Sequence, residues 1–239
     1  MAVLATTSAL TAKNGGMDAR DAVDAVERAV AELVAALPAG VVVTEPDAVE
    51  KYRFDWTHDA RAGHPAAVVR AEDADHVVTT MRWASRHGIP VVPRGAGTGL
   101  SGGALAVDGG IVLSTERMRA VEIDVDARVA VVEPGALNVE VKRAAAEHGL
   151  WYPPDPSSFE MCSIGGNIAN GSPIGDTPPA LIALNATLTL RKGAERRTIL
   201  LQDFFIAYGK QDRQPGEFVE AVHVPVPPAA EKFAVYKVT

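Results

Sequence analysis

Residues 91–103 read Val91-Val92-Pro93-Arg94-Gly95-Ala96-Gly97-Thr98-Gly99-Leu100-Ser101-Gly102-Gly103. Five glycines fall within the nine residues 95–103, directly after a short apolar run. Glycine adopts positive φ at little cost and lets the backbone approach a ligand closely, so such a loop can direct several N–H groups at one anion. The stretch therefore predicts a strand followed by a loop that binds an anion such as a diphosphate. A flexible linker is the alternative, which the apolar lead-in Ile89–Pro93 disfavours.

Two common phosphate-binding motifs do not fit this loop. No Gly-Lys-Ser/Thr sequence is present, which excludes the loop of the nucleoside triphosphatases. Gly95, Gly97 and Gly99 stand at every second position, unlike the Gly-x-Gly-x-x-Gly of dinucleotide-binding folds. Any family assignment must therefore rest on the whole of residues 91–103 and not on one short motif inside them.

Composition restricts the classes of function. The chain has 239 residues, 47% of them hydrophobic, and a net charge of −7, so neither a small disulfide scaffold nor a nucleic-acid-binding surface is expected. Charges, prolines and glycines interrupt every apolar run well before the roughly 18 residues of a membrane span. Cys162 is the single cysteine, which excludes an internal disulfide and an iron–sulfur cluster held by this chain. These features predict a cytoplasmic protein without a membrane span.

Hydrophobic periodicity predicts a mixture of helices and strands. Helices are expected over 18–37, 74–87 and 138–148, the second with Asp73 as its N-cap and Gly88 as its end. Short β-prone runs predict strands over 67–70, 89–92, 111–114, 121–124, 129–133, 186–191, 197–201, 218–226 and 233–238. The two strands on either side of Asp124–Arg128 are expected to form a hairpin. The predicted helices and strands do not follow a strict strand–helix–strand alternation. The predicted class is therefore α+β with two lobes.

A second candidate binding segment follows the glycine-rich loop by about sixty residues. It runs from Tyr152 to Ser158 and continues from Ser163 to Asp176. The prolines favour an extended backbone, and Gly165-Gly166 permits close contact with a flat ring. Small side chains such as Ser163 and Asn167 supply donors and acceptors for phosphate or ring edges. Ordinary loops and turns remain the alternative explanation of this composition.

The run from Pro93 to Ala104 resembles the pyrophosphate-binding loop of the FAD-linked oxidase family typified by vanillyl-alcohol oxidase. The closest version is that of the branch containing D-lactate dehydrogenase and the glycolate oxidase flavin subunit. The Asp55-Trp56-Thr57 segment also resembles that branch and is expected to be structural. The resemblance implies the two-lobed FAD-binding fold of p-cresol methylhydroxylase, with mixed sheets, flanking helices and FAD as cofactor.

The resemblance changes branch near Gly165–Ile168. Up to about Ala169 the chain is similar to the first branch, but the Asn-Ala-Gly-Gly continuation of that branch is missing. Residues from Gly165 to the C-terminus, including Asp203-Phe204-Phe205 and Pro215-Gly216-Glu217, resemble the FAD domain of xanthine dehydrogenase. The chain is therefore expected to be a hybrid of two branches, arising either by divergence or by fusion.

The same resemblance implies the organisation of the chain. We expect a disordered tail over 1–16, a helical lead-in over 17–61 and an FAD-binding domain over 62–239, with lobes of 62–175 and 176–239. A substrate-binding cap follows the FAD domain in the first branch. No such cap is expected before Thr239.

Cofactor-binding residues are carried over position by position. From the first branch the resemblance implies pyrophosphate-binding amides and residues lying along the cofactor: Arg94, Gly95, Ala96, Gly97, Thr98, Gly99, Leu100 and Ser101, then Asp155, Pro156, Ser157 and Ser158. From the second branch it implies contacts to the flavin or its diphosphate by Ser163, Ile164, Gly165, Gly166 and Asn167. It also implies that Asp176 bonds the FAD sugar region, Val219 packs near the adenine half and Lys237 approaches the isoalloxazine. A turn aspartate and a solvated lysine are the alternatives for Asp176 and Lys237.

The histidines predict neither a metal site nor a covalent flavin. All six are scattered without ligand spacing, and none lies in or beside the glycine-rich loop, where a flavin-attaching histidine is expected. We therefore expect non-covalent FAD and no metal.

The function implied is that of an FAD-dependent oxidoreductase acting on a small-molecule donor of the D-lactate or glycolate type. A xanthine-dehydrogenase-like FAD subunit that works beside a redox partner subunit is the first alternative. A non-catalytic module that keeps the flavin fold is the second. No catalytic acid or base is identifiable from the sequence.

Overall fold

The structure, a computed structural model, describes residues 19–152, 154, 156–169, 177–207 and 210–225. The expected tail over 1–16, the expected strand over 233–238 and the residues Asp155, Asp176 and Lys237 lie outside these ranges. The helices are α1 Ala19–Ala36, α2 Pro46–Glu50, α3 Ala74–His87, α4 Asn138–Glu147, α5 Ile164–Ala169, α6 Thr177–Ala183 and α7 Leu201–Phe204. The strands are β1 Val42–Val43, β2 Ala67–Arg70, β3 Val91–Arg94, β4 Ile111–Ser114, β5 Val121–Asp124, β6 Val129–Val132, β7 Thr187–Lys192, β8 Glu195–Leu200, β9 Phe205–Ala207, β10 Lys210–Gln211 and β11 Phe218–His223.

The chain divides after Met118 into two compact units. The first contains a four-stranded sheet in the order β1-β2-β4-β3. Strands β2, β3 and β4 are parallel, so that Arg70, Arg94 and Ser114 are neighbours at their carboxyl ends. All four residues of β4 are buried, as expected for the middle strand of a parallel sheet. Ligands of open parallel sheets bind at this end of the strands.

Helix α3 confirms the predicted bounds and both of its end signals. The Asp73 side chain accepts a hydrogen bond from the backbone N of His76, and Gly88 takes the left-handed conformation at φ 66°. Strand β3 begins two residues later than predicted, because the N–H of Ile89 is still bonded to the carbonyl of Ala84 in the helix end. Pro93 is tolerated since β3 lies at the edge of the sheet.

The second unit contains the predicted hairpin and an antiparallel sheet. Strands β5 and β6 pair in register from Val121↔Val132 to Asp124↔Val129, which confirms the hairpin. The second sheet has the order β11-β7-β8. Leu188 and Leu190 of β7 pack with Leu201 and Phe204 of α7 in its core. Here α5 to α7 are helices that the sequence analysis did not predict.

The mixture of helices and sheets confirms the α+β class. The expected lobe boundaries at 62–175 and 176–239 stay a prediction. Within the described ranges no helix has the length and apolarity that crossing a membrane requires. The same ranges hold no group of three or more metal-ligating side chains.

Candidate functional site

The glycine-rich loop, residues 95–103, begins where β3 ends. It therefore leaves the sheet at the carboxyl end of the parallel strands, beside Ser114. Gly97 and Gly102 have φ of 75° and 73°, a region that side chains rarely adopt. Within the described part of the chain, no backbone N–H of residues 95–103 donates to a protein acceptor. A row of free N–H groups on a permissive backbone is what an anion-binding loop requires.

Residues 53–63, which we call the strap, are hydrogen-bonded to this loop and to the residues that flank it. Five hydrogen bonds connect the strap to residues 94–106: Arg94 Nη1 to Phe54 O at 2.8 Å, Trp56 N to Gly97 O at 3.2 Å, Ala104 N to Asp55 Oδ2 at 3.5 Å, Ala106 N to Arg53 O at 3.0 Å and Gly63 N to Ala106 O at 2.8 Å. The sequence analysis treated this segment as a structural lead-in. The structure places it against the predicted binding loop.

Gly97 and Gly99 differ in what surrounds them. A Cβ at Gly97 would lie 2.5 Å from Cζ of Arg94, because the guanidinium is folded beneath the loop. A Cβ at Gly99 would meet only Asp55 Oδ2, at 3.7 Å, which is ordinary contact. The protein itself therefore requires glycine at position 97. At position 99 the space stays open for a ligand.

Arg94, directly before the loop, places a positive charge beside it. Its guanidinium is half-buried, and burial lowers its pKa, although the group remains a cation. It donates to the carbonyl of Phe54 and lies 5.9 Å from the ring centroid of Tyr52. The remaining predicted loop residues contribute mainly through their backbone, since Ala96, Leu100 and Ser101 expose their side chains.

A cluster that the sequence analysis missed lies at the same end of the sheet. The hydroxyl of Tyr52 donates to Glu116 Oε1 at 2.7 Å, and Arg70 Nε donates to the same oxygen at 2.5 Å. Burial, followed by the bond to Glu116, raises the pKa of Tyr52 to about 12. These contacts join segments that are distant in sequence, so no local pattern could have indicated them.

The segment 156–163 covers the start of α4. The backbone N of Asn138 donates to Cys162 O, and that of Val139 donates to Phe159 O, both at 3.0 Å. Of the predicted residues here, Pro156 is buried, Ser157 is exposed and Ser158 is half-buried. The Ser158 carbonyl accepts from the backbone N of Cys162 at 2.8 Å, a bond within the segment itself.

Ser163 directly precedes α5, and residues 164–167 form its first turn. The N–H of Gly165 donates to Pro134 O at 2.9 Å, and a Cβ at Gly165 would come to 2.7 Å from Pro134 Cβ. Gly165 is thus required by packing inside this unit. Ser163 is buried and its Oγ accepts from Gly166 N at 3.3 Å.

Asn167 has a buried side-chain oxygen that accepts no hydrogen bond from the described residues. Its Nδ2 lies 3.9 Å from Cys162 Sγ, while its buried Oδ1 has no partner among the described residues. Buried acceptors are normally satisfied, so this oxygen fits a ligand donor. Ile164 and Val219 are half-buried, and Val219 lines a small apolar crevice with Ile168 and Phe204.

Asn138 is a further buried amide that sequence reasoning did not single out. Its side chain is fully buried, and neither Oδ1 nor Nδ2 has a partner in the described part of the chain. Its place at the start of a predicted helix was the available signal, but an asparagine there is usually an exposed cap. In the structure the cap position belongs to Leu137.

Replacing Asn138 with leucine is expected to raise the free energy of unfolding of the FAD-free protein by about 1–2 kcal/mol, because an unpaired buried amide costs that much. Urea denaturation without FAD measures the change. Asn138→Ala is the control, since it removes the amide but leaves a cavity, and it should not stabilise. A less stable leucine variant would contradict the absence of a partner for this amide.

Comparison with known proteins gives different matches for the two parts of the chain. Residues 65–177 match the family of the FAD binding domain, and residues 155–227 match the FAD binding domain in molybdopterin dehydrogenase. The two matches overlap around Gly165–Ile168, where the resemblance was expected to change branch. Residues 65–227 therefore carry an FAD-binding domain that is similar to both of these families. The predicted hybrid is thereby confirmed, and FAD is the cofactor of both matched families.

Three curated relatives match between 50% and 60% of this chain. The chain is 39% identical over 124 residues to the glycolate oxidase subunit GlcD of Bacillus subtilis, covering 50% of this chain and 26% of that protein. It is 41% identical over 126 residues to the D-lactate dehydrogenase of Archaeoglobus fulgidus, covering 52% and 28% respectively. It is 39% identical over 144 residues to the D-2-hydroxyglutarate dehydrogenase of Xanthomonas citri, covering 60% and 30%. The chain thus spans less than a third of each of these relatives.

Solved structures confirm the expected fold. p-Cresol methylhydroxylase with substrate bound matches with a TM-score of 0.60 at 19% identity, over 77% of this chain and 36% of that one. The Cu,Mo-CO dehydrogenase matches with a TM-score of 0.51 at 20% identity, over 67% and 59%. Likeness at such identities establishes the fold of this FAD-binding domain and nothing about its substrate.

Proposed function

We propose that the chain is the FAD-binding part of a flavin-dependent oxidoreductase that oxidises a 2-hydroxy acid of the D-lactate or glycolate type. The names of the curated relatives support this reaction class. The structural observation that carries the proposal is the row of unpaired N–H groups over residues 95–103 at the carboxyl end of β3.

The residues present fit a bound FAD. Under the proposal the loop N–H groups donate to the diphosphate oxygens, and the open space at Gly99 lets them approach. Arg94 offsets part of the diphosphate charge from beneath the loop. Asn167 offers its unpaired Oδ1 to a donor on the cofactor. Ser163, Gly166 and the remaining predicted residues keep their implied contacts as part of the proposal.

FAD, when bound, supplies the acceptor for the hydride that leaves the hydroxyl-bearing carbon of the donor. The protein's part is to bind and orient the cofactor. We propose that attachment is non-covalent, that the donor is a small molecule and that electrons pass to a redox partner subunit. The roles of Asp155, Asp176 and Lys237 belong to this proposal as well. The cytoplasm is the proposed compartment, on the single cysteine of the chain.

A second candidate function is an FAD electron-transfer subunit of the xanthine dehydrogenase type. The match of residues 155–227 to the FAD domain of molybdopterin dehydrogenases favours it. A non-catalytic flavin-fold module is the third possibility. The three differ in whether FAD is retained and in which donor reduces it.

The first test is the visible absorption spectrum of the purified chain after FAD is added and excess is removed by desalting. Flavin bands that acid releases into solution support a non-covalent flavoprotein. Anaerobic bleaching by D-lactate or glycolate supports the hydroxy-acid reaction, whereas bleaching by NADH alone supports the second candidate. A folded protein that retains no flavin would overturn the proposed function.

A further inference from the structure

We propose that Asp55 is a positioning residue that holds the glycine-rich loop in the conformation that binds a diphosphate. This inference rests on the proposed function. It assigns to the strap a part in cofactor binding, although the matched FAD-binding family begins only at residue 65.

The Asp55 carboxylate is buried and points at the loop. Only 2% of the residue is exposed. Its Oδ1 accepts from the backbone N of Thr57 at 3.0 Å and from Thr57 Oγ1 at 2.5 Å. Its Oδ2 faces the loop, 3.5 Å from Ala104 N and 3.7 Å from the place of a Cβ at Gly99. One oxygen is thus anchored in the strap, and the other lies against the loop and the residue that follows it.

The turn that presents Asp55 is itself held in an unusual conformation. The carbonyl of Asp55 accepts from His58 N at 3.2 Å, and His58 has φ of 46°. A non-glycine residue in the left-handed region persists only where its surroundings determine it. The adjacent Trp56 N–Gly97 O bond attaches this turn directly to the middle of the loop.

Charge gives Asp55 a second connection to the loop. A buried carboxylate is unfavourable without a nearby cation. Arg94 directly precedes the loop, and its attraction to Asp55 is the largest contribution that opposes the lowering of the Arg94 pKa by burial. Arg94 Nη1 also donates to the carbonyl of Phe54, the residue before Asp55. Asp55 therefore faces the loop at Gly99, accepts a hydrogen bond from Ala104 just after the loop and attracts Arg94 just before it.

The test compares Asp55→Asn with the wild-type chain in binding of FAD and of riboflavin, which lacks the diphosphate. Asparagine keeps the size of the side chain but removes its charge and replaces an acceptor. FAD affinity should fall about tenfold to a hundredfold, the change expected when a hydrogen bond to a charged group is lost. Riboflavin affinity should stay unchanged, since positioning of the loop acts only on the diphosphate. An equal loss for both ligands would indicate a merely structural role and overturn the inference.

Asp59→Asn is the matched control. Asp59 lies on the same strap, but its carboxylate pairs with Arg61 of the strap and does not contact the loop. This variant should bind FAD like the wild type. If wild-type protein binds no FAD, the proposed function fails. If wild type and Asp55→Asn bind FAD equally, the inference alone fails.

Thr57→Ala keeps the test decisive if Asp55→Asn does not fold. It retains the carboxylate and removes the hydroxyl bond that orients it, together with a long bond of 3.4 Å that Asp59 N donates to the same hydroxyl. We expect a roughly threefold to tenfold loss of FAD affinity, as for one hydrogen bond, with unchanged riboflavin binding. Unchanged FAD affinity in this variant would contradict the role of Asp55.

Discussion

Replacing Gly99 with valine is expected to abolish FAD binding while the FAD-free protein keeps its fold. Position 99 does not require a left-handed backbone, and an added Cβ would meet only Asp55 Oδ2 at 3.7 Å. The side chain would instead occupy the space through which the diphosphate approaches the loop N–H groups. Gly99→Ala should lose about tenfold to a hundredfold in affinity, since a smaller side chain blocks less of that space.

Gly97→Ala is the comparison that separates binding from folding. Gly97 has φ of 75°, and its Cβ would come to 2.5 Å from Arg94 Cζ. An alanine in this conformation costs roughly 1–2 kcal/mol of stability, before Arg94 has moved. Gly97→Ala should therefore lower both the melting temperature and the FAD affinity, while Gly99→Val lowers the affinity alone. Titration of each apoprotein with FAD, together with thermal unfolding, measures both. Retention of wild-type affinity by Gly99→Val would remove the loop from the cofactor site.

Replacing Arg197 with methionine is expected to cause the largest loss of stability in the second unit. Arg197 Nε and Nη2 donate to the two carboxylate oxygens of Glu217 at 2.7 and 2.8 Å, and Nη1 donates to Asp212 Oδ2 at 2.8 Å. The Glu217 side chain is only 6% exposed, so its charge would remain buried without its cation. We expect a loss of about 2–3 kcal/mol, below the roughly 3–5 kcal/mol of a fully buried pair. The reduction reflects the 30% exposure of the Arg197 side chain.

Arg196→Met is the matched control on the same strand. Arg196 is half-exposed, and its partner Glu220 keeps a second bond from Arg191 Nη1 at 2.6 Å. This variant should unfold close to the wild type. Urea denaturation at neutral pH compares the two, and equal losses would contradict the special importance of Glu217.

The effect of Arg197→Met should depend on pH in a defined direction. Hydrogen bonds from Arg197 hold the pKa of Glu217 below its ordinary value of 4.5. A carboxyl group whose pKa is lowered by folding stabilises the protein above its unfolded-state pKa, and this contribution is lost as the pH falls through the folded-state value. The difference between wild type and variant should therefore be full at neutral pH and shrink below about pH 4.5. A difference that stays constant down to pH 3 would contradict the ion pair as its cause.

Features with local causes were predicted well from the sequence. Helix α3 has the expected bounds because Asp73 and Gly88 act on the backbone beside them. The hairpin of β5 and β6 follows from its short turn. By contrast, α5 was read as a loop because it contains Gly165-Gly166. It becomes helical where Ile164 N and Gly165 N donate to the carbonyls of Ala136 and Pro134, about thirty residues earlier in the chain.

In the candidate site, too, some features have local causes and others depend on tertiary contacts. The glycine-rich loop and the family to which it points were evident from residues 91–103 alone, because glycine acts through its own backbone. Which of its glycines the protein requires, and which leaves room for a ligand, depends on where Arg94 and Asp55 come to lie. The strap contacts are made by residues about forty positions apart, as in the bond of Arg94 to Phe54.

For this protein the sequence by itself determined the fold class, the cofactor and the change of branch near Gly165–Ile168. These depend on backbone preferences and on motifs within single segments. Only the tertiary structure decided that β3 and β4 bring the loop to the carboxyl end of a parallel sheet and that Asp55 faces the loop. It also decided that the Asn138 amide and Asn167 Oδ1 are buried without partners among the described residues. Burial and pairing of polar groups depend on segments that meet only when the chain folds, so no local pattern contains them.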